Sequence, residues 1–461
     1  PIMEPALAAK FPLIKTYRAQ GVDDPAATAR FGITPYGFHA VVLSPSGAYY
    51  IDPYRRGDAI NHISYFKTDY PRTDIHQFEC LVHLPNEKGT QTMSVESASA
   101  TRPHGDVLRT YRLALASTFE YSDFHSDAQP LPDKAEVMAQ GIIPAVNRVT
   151  GIYEREVSVH LTLVANNDLV IFNTPADPYV NDQGITMLAT NQATLDAVIG
   201  PLNYDIGHVA STGGGGVAFL GVVCSVQKAG GVTGLPQPTG DPYYVDYVAH
   251  EMGHQFGGNH TFNGNVSNCA GGNQNAATAY EVGSGSTIQA YAGICPPQNL
   301  QPNSDPYFHG ASYDEILDHI TGTADSCAVK TPTGNSAPGV EAGIDYNIPA
   351  RTPFTLTASG SDPDGDTLSF GWEEFDLGPP HDGLSDNGSS AIFRSFNPTL
   401  GPSRTFPKQS DLLNNKTTYG ELLPTTTRVM TFRVTARDNR AGGGGVEYDS
   451  MKVNVNSAAG P

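Results

Sequence analysis

The sequence predicts a central α/β domain with a β-rich unit on each side. Between Leu108 and Cys327, strand-like apolar runs alternate with stretches of helical periodicity. On both sides of this region, short strand-like runs are separated by turns rich in proline, glycine and aspartate. A length of 461 residues is also too great for one ordinary domain. The predicted units are residues 1–105, 106–328 and 339–461, with a linker at residues 329–338.

The composition narrows the range of partners. Lysine and arginine number 27 against 47 aspartates and glutamates, which gives a net charge of −20. Such a charge argues against nucleic acid or an anionic membrane as the main partner. No apolar run is long enough to span a bilayer, and only 16% of the residues are charged, which suits a secreted, loop-rich protein. We expect a secreted, extracellular monomer. No signal peptide precedes Pro1, so any export signal has been removed or lies outside this sequence.

The N-terminal unit contains strand-like runs but no catalytic constellation. The runs are Gly37–Leu43, Ala48–Ile51, Ile63–Phe66 and Phe78–Leu84. The stretch Glu87–Asp106 is polar and rich in serine, threonine and glycine, which is typical of a linker that a protease can cut.

The central region alternates between strands and helices. The glycine run Gly213–Gly216 is not followed by Lys-Ser/Thr or by a helical pattern, so a phosphate-binding loop is disfavoured. We interpret it as a loop that leads into an exposed edge strand, along which an extended peptide substrate could pair. Strands are predicted at Arg109–Thr118, Val157–Val164, Leu169–Phe172, Ile206–Ala210 and Val217–Cys224, and helices at Lys134–Glu156, Gln192–Ile199 and Tyr313–Ile320.

A pattern of metal-binding type lies in Tyr244–Phe262, YVDYVAHEMGHQFGGNHTF. On a helix, His250 and His254 lie one turn apart on the same face and can hold one metal ion. Glu251 lies beside that site and can act as the general base toward a water molecule activated by the metal. The helix must end after His254 so that a third ligand can return to the metal. The pattern is H-E-x-x-H-x-x-G-x-x-H, with its residues at His250, Glu251, His254, Gly257 and His260.

Gly257 supplies a residue that can turn the chain with a positive φ, and His260 completes a three-histidine zinc site with an open position. The alternative is a chance H-E-x-x-H on a buried helix, which the added glycine and third histidine disfavour. Glu281 is another candidate for the third ligand, but the spacing of His260 makes it unnecessary.

The whole pattern resembles the zinc signature of the metzincin metallopeptidases. Three further segments, NRVTGIYERE, NYDIGHVASTGGGGVAFLGVVC and STIQAYAGIC, are similar to bacterial reprolysin-like (adamalysin-type) metallopeptidases. The resemblance implies a mixed five-stranded sheet, a zinc helix, and a cleft in which substrate lies along the edge strand. It also implies a secreted endopeptidase that uses one catalytic Zn²⁺ ion to cleave protein or peptide substrates.

The segment Ser286–Cys295, STIQAYAGIC, resembles the tight turn that packs beneath the zinc ligands in metzincins. Gln289 occupies the place of the family's methionine. Burying its amide requires hydrogen-bond partners or costs a few kcal/mol, so we expect a weakened or less stable site. This residue also favours a rival interpretation, a catalytically weakened scaffold that acts as a secreted binding or adhesion protein. The intact Glu251 counts against that rival.

Tyr291 follows two residues later, where astacin-like and serralysin-like metzincins carry a tyrosine near the metal. Its hydroxyl could stabilise the oxyanion of the tetrahedral intermediate. A tyrosine of the hydrophobic core is the equal alternative.

The chain has five cysteines, and four of them lie in the same third of the sequence as the zinc pattern. An even set of this kind suggests two disulfides in an oxidising compartment, with three possible pairings. We favour Cys224 with Cys327, which would tie a sheet strand to the last helix of the domain. Cys269 with Cys295 would then close the loop between the zinc helix and the next motif.

Cys80 is the unpaired cysteine, in the segment FECLVHLP. Because the N-terminal unit resembles the rear part of a pro-region, a Cys80 thiolate could fill the open zinc position and hold a zymogen inactive. The segment lacks the proline-lysine and Cys-Gly context of the reprolysin cysteine switch. A small hydrophobic cysteine in a β core is the alternative.

The C-terminal unit reads as all-β. SDPDGD, Ser361–Asp366, followed by LSFGWEEFD resembles the early part of PKD-type or cadherin-like immunoglobulin-fold repeats, with Trp372 as a core anchor. Asp362, Asp364 and Asp366 could bind Ca²⁺ or form an ordinary tight turn. Such a sandwich could bind an extracellular surface or matrix ligand. Strands are predicted at Phe354–Ala358, Leu368–Trp372, Ile392–Phe396, Val429–Ala436 and Tyr448–Val455.

Overall fold

A computed structural model describes residues 1–70, 80–83 and 103–459, and only the backbone of Leu81–His83. The outer residues of the predicted strand Phe78–Leu84 lie outside the described residues. The predicted linker Glu87–Asp106 also lies outside the described residues, except for its last four residues. The central strand segment Cys80–His83 is described.

The N-terminal unit is an antiparallel sheet of five strands in sequence order. It includes the three strands predicted before residue 67 and two earlier strands that the sequence analysis missed. The first of these has no buried residue, so its sequence carries no apolar face to mark it. The elements are α1 (Pro5–Lys10), β1 (Lys15–Gln20), β2 (Thr28–Thr34), β3 (Gly37–Leu43), β4 (Tyr49–Pro53) and β5 (His62–Phe66).

The central domain is built on a mixed sheet of seven strands. Five of them lie between residues 107 and 234, and each flanking segment adds one more, so the sheet is larger than the predicted five strands. The strands are β6 (Cys80–His83), β7 (Val107–Ser117), β8 (Val159–Leu163), β9 (Ile206–Ser211), β10 (Gly215–Phe219), β11 (Gly231–Gly234) and β12 (Val329–Pro332). Strand β12 occupies the start of the predicted linker.

The order across this sheet is β8, β7, β9, β11, β10 and β6. Strand β12 pairs with the first residues of β7, on the side of β7 where β9 pairs with its last residues. Strand β10 runs antiparallel to β11 and parallel to β6. The predicted exposed edge is therefore covered, because a segment of the N-terminal unit pairs along it.

The helices of the central domain pack on both faces of the sheet. The predicted helix Lys134–Glu156 is helical throughout but contains a π segment at Met138–Ile142. Pro144 is the second residue of the α-helix that follows this segment. A second π segment, Tyr243–Ala249, leads into the helix of the zinc pattern. The helices are α2 (Phe119–Phe124), α3 (Lys134–Val137), α4 (Ile143–Val157), α5 (Gly184–Val198), α6 (Gly240–Pro242), α7 (His250–Gln255) and α8 (Gly310–Thr321).

Two predicted strands in this domain are only partly formed, because other groups take up much of the backbone hydrogen bonding. Leu169–Phe172 is reduced to the single bridge between Ile171 and Ser117, and Val217–Cys224 is shortened to the end of β10. Leu169–Phe172 overlaps a 3-10 helix at Asn167–Val170, and the Asn167 side chain bonds the backbone N–H and C=O of Leu115. Strand β10 ends at Phe219 rather than Cys224, since the next N–H groups donate to the carbonyls of His254 and Gln255.

The C-terminal unit consists of a four-stranded sheet, two strand pairs and one short helix. Trp372 is buried in its core and is 3% exposed. The predicted strand Ile392–Phe396 is reduced to a single antiparallel bridge between Phe393 and Glu421. The N–H groups of Ile392 and Phe393 donate to the Glu374 carboxylate, which limits further pairing. The elements are β13 (Gly339–Glu341), β14 (Tyr346–Pro349), β15 (Phe354–Thr357), β16 (Ser359–Ser361), β17 (Ser369–Glu374), β18 (Ser403–Phe406), α9 (Gln409–Asn414), β19 (Arg428–Arg437) and β20 (Val446–Asn456).

One hydrophobic core joins the N-terminal unit to the central domain, since Leu7, Val41 and Tyr50 share it with α4 and α7. Both predicted disulfides are present, Cys224–Cys327 with a Cα–Cα distance of 5.7 Å and Cys269–Cys295 with 5.5 Å. No helix in the described part of the chain has the length and apolar character needed to cross a bilayer.

Candidate metal centre

The zinc pattern folds as its spacing requires. His250 is the first residue of α7, and His254 directly precedes its last residue, Gln255. Gly257 has a φ of 101°, which only glycine adopts readily, and there the chain turns back so that His260 reaches the first two histidines. The Nε2 atom of His254 lies 3.0 Å from Nε2 of His250 and 3.1 Å from Nε2 of His260.

Each of these histidines is oriented through its other ring nitrogen. The Nδ1–H groups of His250, His254 and His260 donate to backbone carbonyl oxygens, each at 2.6 Å. The acceptors belong to Ile288, Gly258 and Asn273. Because a carbonyl can only accept, each Nδ1 carries the proton and each Nε2 presents a lone pair to the centre. Such supporting bonds are typical of metal-ligating histidines.

Cys80 is the fourth residue of this cluster. Its Sγ lies 3.5 Å from Nε2 of His250 and 3.6 Å from Nε2 of both His254 and His260. Strand β6 brings it there by pairing Cys80 with Gly216 of β10. The Tyr291 hydroxyl donates to the Cys80 carbonyl at 2.9 Å. Cys80 is therefore not only a buried cysteine of a β core.

The four donor atoms fit one zinc ion. Zinc bonds of about 2.0–2.1 Å to nitrogen and 2.3 Å to sulfur place tetrahedral donors roughly 3.3–3.6 Å apart. The separations from Sγ of 3.5 and 3.6 Å match this spacing, and the nitrogen pairs at 3.0 and 3.1 Å are slightly closer. Three imidazoles and a thiolate are also a ligand set typical of zinc. Cys80, His250, His254 and His260 are all buried.

Burial keeps the three imidazoles neutral, as metal ligation requires. It lowers the pKa of His250 to about 4, and it lowers the pKa values of His254 and His260 well below their usual range, assisted by the neighbouring imidazoles. Without a metal, burial also raises the pKa of the Cys80 thiol, and the nearby Glu251 carboxylate adds to this. A bound cation acts in the opposite direction on a thiol.

Glu251 lies beneath the edge of the sheet beside this cluster and is fully buried. Burial raises the pKa of its carboxyl to about 8. None of the described residues donates a hydrogen bond to either carboxylate oxygen. A Cβ atom at Gly216 would lie 2.0 Å from Oε1 of Glu251, so only glycine leaves room for this side chain. This role of Gly216 was not predicted, although the glycine run was its signal.

Gln289 lies beneath His254, against two glycines. Its Nε2 donates to the Gly258 carbonyl at 3.2 Å, the same oxygen that accepts from His254. A Cβ atom at Gly253 would lie 2.2 Å from Oε1 of Gln289. Among the described residues, no donor reaches that buried oxygen. The amide is therefore only half satisfied.

Glu281 supports the site but is not part of the ligand cluster. Its carboxylate accepts hydrogen bonds from the hydroxyls of Thr261 and Thr287, each at 2.6 Å, and from the N–H of Ser286 at 2.8 Å. It therefore ties the segment after His260 to the turn that carries Gln289. This role was missed, and the threonine beside the third histidine was the available signal.

A second acidic cluster lies in the C-terminal unit. Asp362 accepts hydrogen bonds from the backbone N–H groups of Asp364 and Asp366, as in an ordinary tight turn. Asp438, distant in sequence, joins Asp362 and Asp366 within reach of a single cation. The sequence analysis did not find Asp438.

The comparisons with known proteins point to the same part of the chain. Residues 107–319 match the family described as metallo-peptidase family M12B, reprolysin-like. The match supports a reprolysin-like metallopeptidase. Such enzymes are hydrolases that act on protein or peptide substrates and are normally zinc-dependent. No curated protein matches the chain.

Proposed function

We propose that the chain is a secreted zinc endopeptidase whose N-terminal unit holds it inactive. The observation that carries this proposal is the convergence of three Nε2 atoms and the Cys80 Sγ beside the Glu251 carboxylate. Zinc is the ion we expect at His250, His254 and His260. When bound, it acts as a Lewis acid that polarises a carbonyl group and lowers the pKa of water.

In this mechanism Glu251 is the general base and then the general acid. Its carboxylate takes a proton from the attacking water and passes it to the leaving amine. Burial suits this task, because it brings the carboxyl pKa toward the neutral range in which both forms are available. The space left by Gly216 allows the carboxylate to lie against the strand on which substrate would pair.

Tyr291 is proposed to hold the carbonyl oxygen of the substrate. In the described state its hydroxyl donates to the Cys80 carbonyl, so it is already directed toward a backbone oxygen at the metal centre. Its ring is fixed by stacking on Phe262 at 4.3 Å and by contact with His260 at 4.6 Å. A donor fixed in this way can stabilise an oxyanion without reorganisation.

The inactive state is proposed to depend on two contacts of β6. The Cys80 thiolate takes the position that must be open for catalysis. The backbone of β6 also pairs with β10 in parallel. It therefore lies in the cleft where we expect substrate to bind. The two disulfides are compatible with an extracellular protein. The described helices, none of which is long and apolar enough to cross a membrane, are compatible with it too.

The test is cleavage of a quenched fluorescent peptide mixture by the zinc-loaded chain and by its Cys80→Ala variant. We expect little cleavage by the unmodified chain. Cys80→Ala should show chelator-sensitive cleavage once its linker has been cut, because β6 can then leave β10, and Glu251→Ala should abolish this cleavage. In the unmodified chain, cleavage within the predicted linker, Glu87–Asp106, tests release of the N-terminal unit without the Cys80 substitution. Equal activity of the uncut, unmodified chain and of Cys80→Ala with its linker cut would contradict the inactive state. Cleavage that survives Glu251→Ala would contradict the mechanism.

The rival function is a secreted binding or adhesion protein built on a weakened metzincin scaffold. The unsatisfied oxygen of Gln289 favours it, since that side chain should support His254. Its C-terminal unit would then bind the surface or matrix ligand. Zinc uptake without peptide cleavage by Cys80→Ala, before and after cleavage in the linker, would favour this rival.

A further inference from the structure

The third ligand lies at the start of a long segment with little regular structure. Between the end of α7 at Gln255 and the start of α8 at Gly310, the structure has only a 3-10 helix at Ser267–Cys269 and the single bridge between Phe262 and Glu281. A segment of this kind cannot hold a metal ligand by its own backbone ladder. Its position must come from tertiary contacts.

The C-terminal unit supplies several of these contacts. The His381 N–H donates to the Asn263 carbonyl at 3.0 Å, and the Asn263 side chain donates to the Pro379 carbonyl at 3.1 Å. Asn263 is only 2% exposed and lies three residues after His260. The loop that contains Pro379 and His381 therefore fixes the segment that follows the third ligand.

A further hydrogen bond extends this contact to the histidine itself. The Gln274 side chain donates to Oδ1 of Asn263 at 2.6 Å. The preceding residue, Asn273, provides the carbonyl that accepts from Nδ1 of His260. The orientation of the His260 ring is thus connected to the C-terminal unit through Asn263 and the Asn273–Gln274 segment.

An aromatic contact reaches the same segment from the other end. Phe375 stacks on Tyr280 with ring centroids 4.3 Å apart. Tyr280 precedes Glu281, whose carboxylate bonds both Thr261 and Thr287. The Ser286 hydroxyl, near the turn of Gln289, also donates to the Ser395 carbonyl at 3.1 Å.

We propose that the C-terminal β unit is a positioning element of the metal centre, which orients His260 through Asn263 and Tyr280. This inference rests on the proposed zinc site. It assigns to the C-terminal unit a role inside the catalytic domain, distinct from the binding of a surface or matrix ligand. Phe375 is the side chain of this unit that stacks on Tyr280, whereas the loop contacts with Asn263 use backbone groups of Pro379 and His381.

The experiment measures the metal centre directly in the full chain. Zn²⁺-loaded protein is mixed with excess chelator and the rate of metal release is followed, and Co²⁺-substituted protein gives the absorption spectrum of the ligand set. We expect Phe375→Ala to release zinc on the order of 10-fold faster and to shift the cobalt bands, because partners that orient a ligand typically contribute 10- to 100-fold to metal affinity. Phe375→Tyr keeps an aromatic ring, so its rate of zinc release and its cobalt spectrum should match those of the unmodified chain.

Trp372→Phe is the matched control, because Trp372 is buried in the core of the same unit and bonds Pro402 there. It should lower the unfolding midpoint without changing release or spectrum. If Phe375→Ala fails to fold, Asn263→Ala tests the other route with the same two measurements. Metal uptake with unchanged release and spectrum in the folded variants would overturn this inference alone. A chain that takes up neither Zn²⁺ nor Co²⁺ would overturn the proposed function as well.

Discussion

The two flanking units contact the metal centre in different ways. The N-terminal unit reaches it directly, through the Cys80 Sγ on a single strand. The C-terminal unit reaches it indirectly, through backbone and aromatic contacts with the segment after His260. A single thiolate can be displaced without rebuilding the other three ligands, whereas loss of the indirect contacts would disturb one of those ligands. The first arrangement suits a removable block and the second suits a permanent support.

The N-terminal unit is nevertheless anchored away from Cys80 by buried charges. Lys67 pairs with Asp241, next to the π segment that leads into α7, and Arg148 pairs with Asp52 at 2.6 Å. Lys67 is 7% exposed and Asp241 is fully buried. Removal of one member of such a pair leaves an uncompensated buried charge. Displacement of Cys80 alone should therefore leave the unit docked.

The largest effect should come from breaking this anchor. Lys67→Met leaves the Asp241 carboxylate buried without its cation, so we expect the free energy of unfolding to fall by about 3–5 kcal/mol. Denaturant unfolding of the metal-loaded chain measures it. The double variant Lys67→Met/Asp241→Asn removes both charges and should recover most of the loss. A double variant as unstable as the sum of the two single variants would show that the pair is not coupled.

Acid should weaken the junction where the three units meet. His104 pairs with Val446 of β20 through its backbone and donates from Nε2 to the Val157 carbonyl at 2.8 Å. Burial lowers its pKa from 6.5 to about 4. The unfolded chain therefore binds the proton first as the pH falls, and the contribution of neutral His104 to stability is progressively lost between about pH 6.5 and 4. The loss should reach about 3 kcal/mol.

Denaturant unfolding at a series of pH values checks this prediction. His104→Gln keeps a donor for Val157 but cannot titrate, so the fall in stability between pH 6.5 and 4 should be smaller in this variant. Parallel profiles for His104→Gln and the unmodified chain would contradict the assignment to His104.

The space that Gly216 of β10 leaves for the Glu251 carboxylate offers a further test. In the Cys80→Ala background, Gly216→Ala would place a methyl group 2.0 Å from the present position of Oε1 of Glu251. The carboxylate must then move, so kcat should fall about 100-fold, within the range that a general base contributes. Zinc content should stay the same. Val217→Ala, on the opposite face of the strand, should cost stability but little kcat, and an equal loss of kcat in both variants would contradict the role of Gly216.

The sequence was informative where spacing determines geometry. The interval between His250 and His254 requires a helix, and Gly257 permits the turn that returns His260, so this part of the site follows from local rules. The disulfide pairing was also confirmed. The position of Cys80 could not be derived in this way, because it depends on pairing between β6 and β10, which are more than 130 residues apart.

The same limit applies to the supporting residues. Strand β12 lies in a stretch whose composition predicts a linker, since TPTGNSAP carries no periodic signal for its pairing with β7. Asn263 and Phe375 have no motif that marks their contacts, because their roles arise from how two units pack. Gln289, by contrast, was identified from its place in a turn, and the half-satisfied amide agrees with the expected cost of burial.

The smallest effect should come from Gln289→Met. Methionine has a similar length and no polar atom that needs a donor, while the Gly258 carbonyl keeps its bond from His254. Removal of the unsatisfied oxygen should raise the free energy of unfolding by about 1 kcal/mol. Gln255 of α7 is the matched control, since its amide is bonded to both His208 and the Gly207 carbonyl. Gln255→Met should instead destabilise by about 1–3 kcal/mol, because it leaves those partners unpaired. Denaturant unfolding of both variants with zinc bound measures the two changes in the free energy of unfolding. If Gln289→Met lost as much stability as Gln255→Met, the Gln289 amide would be fully satisfied in solution.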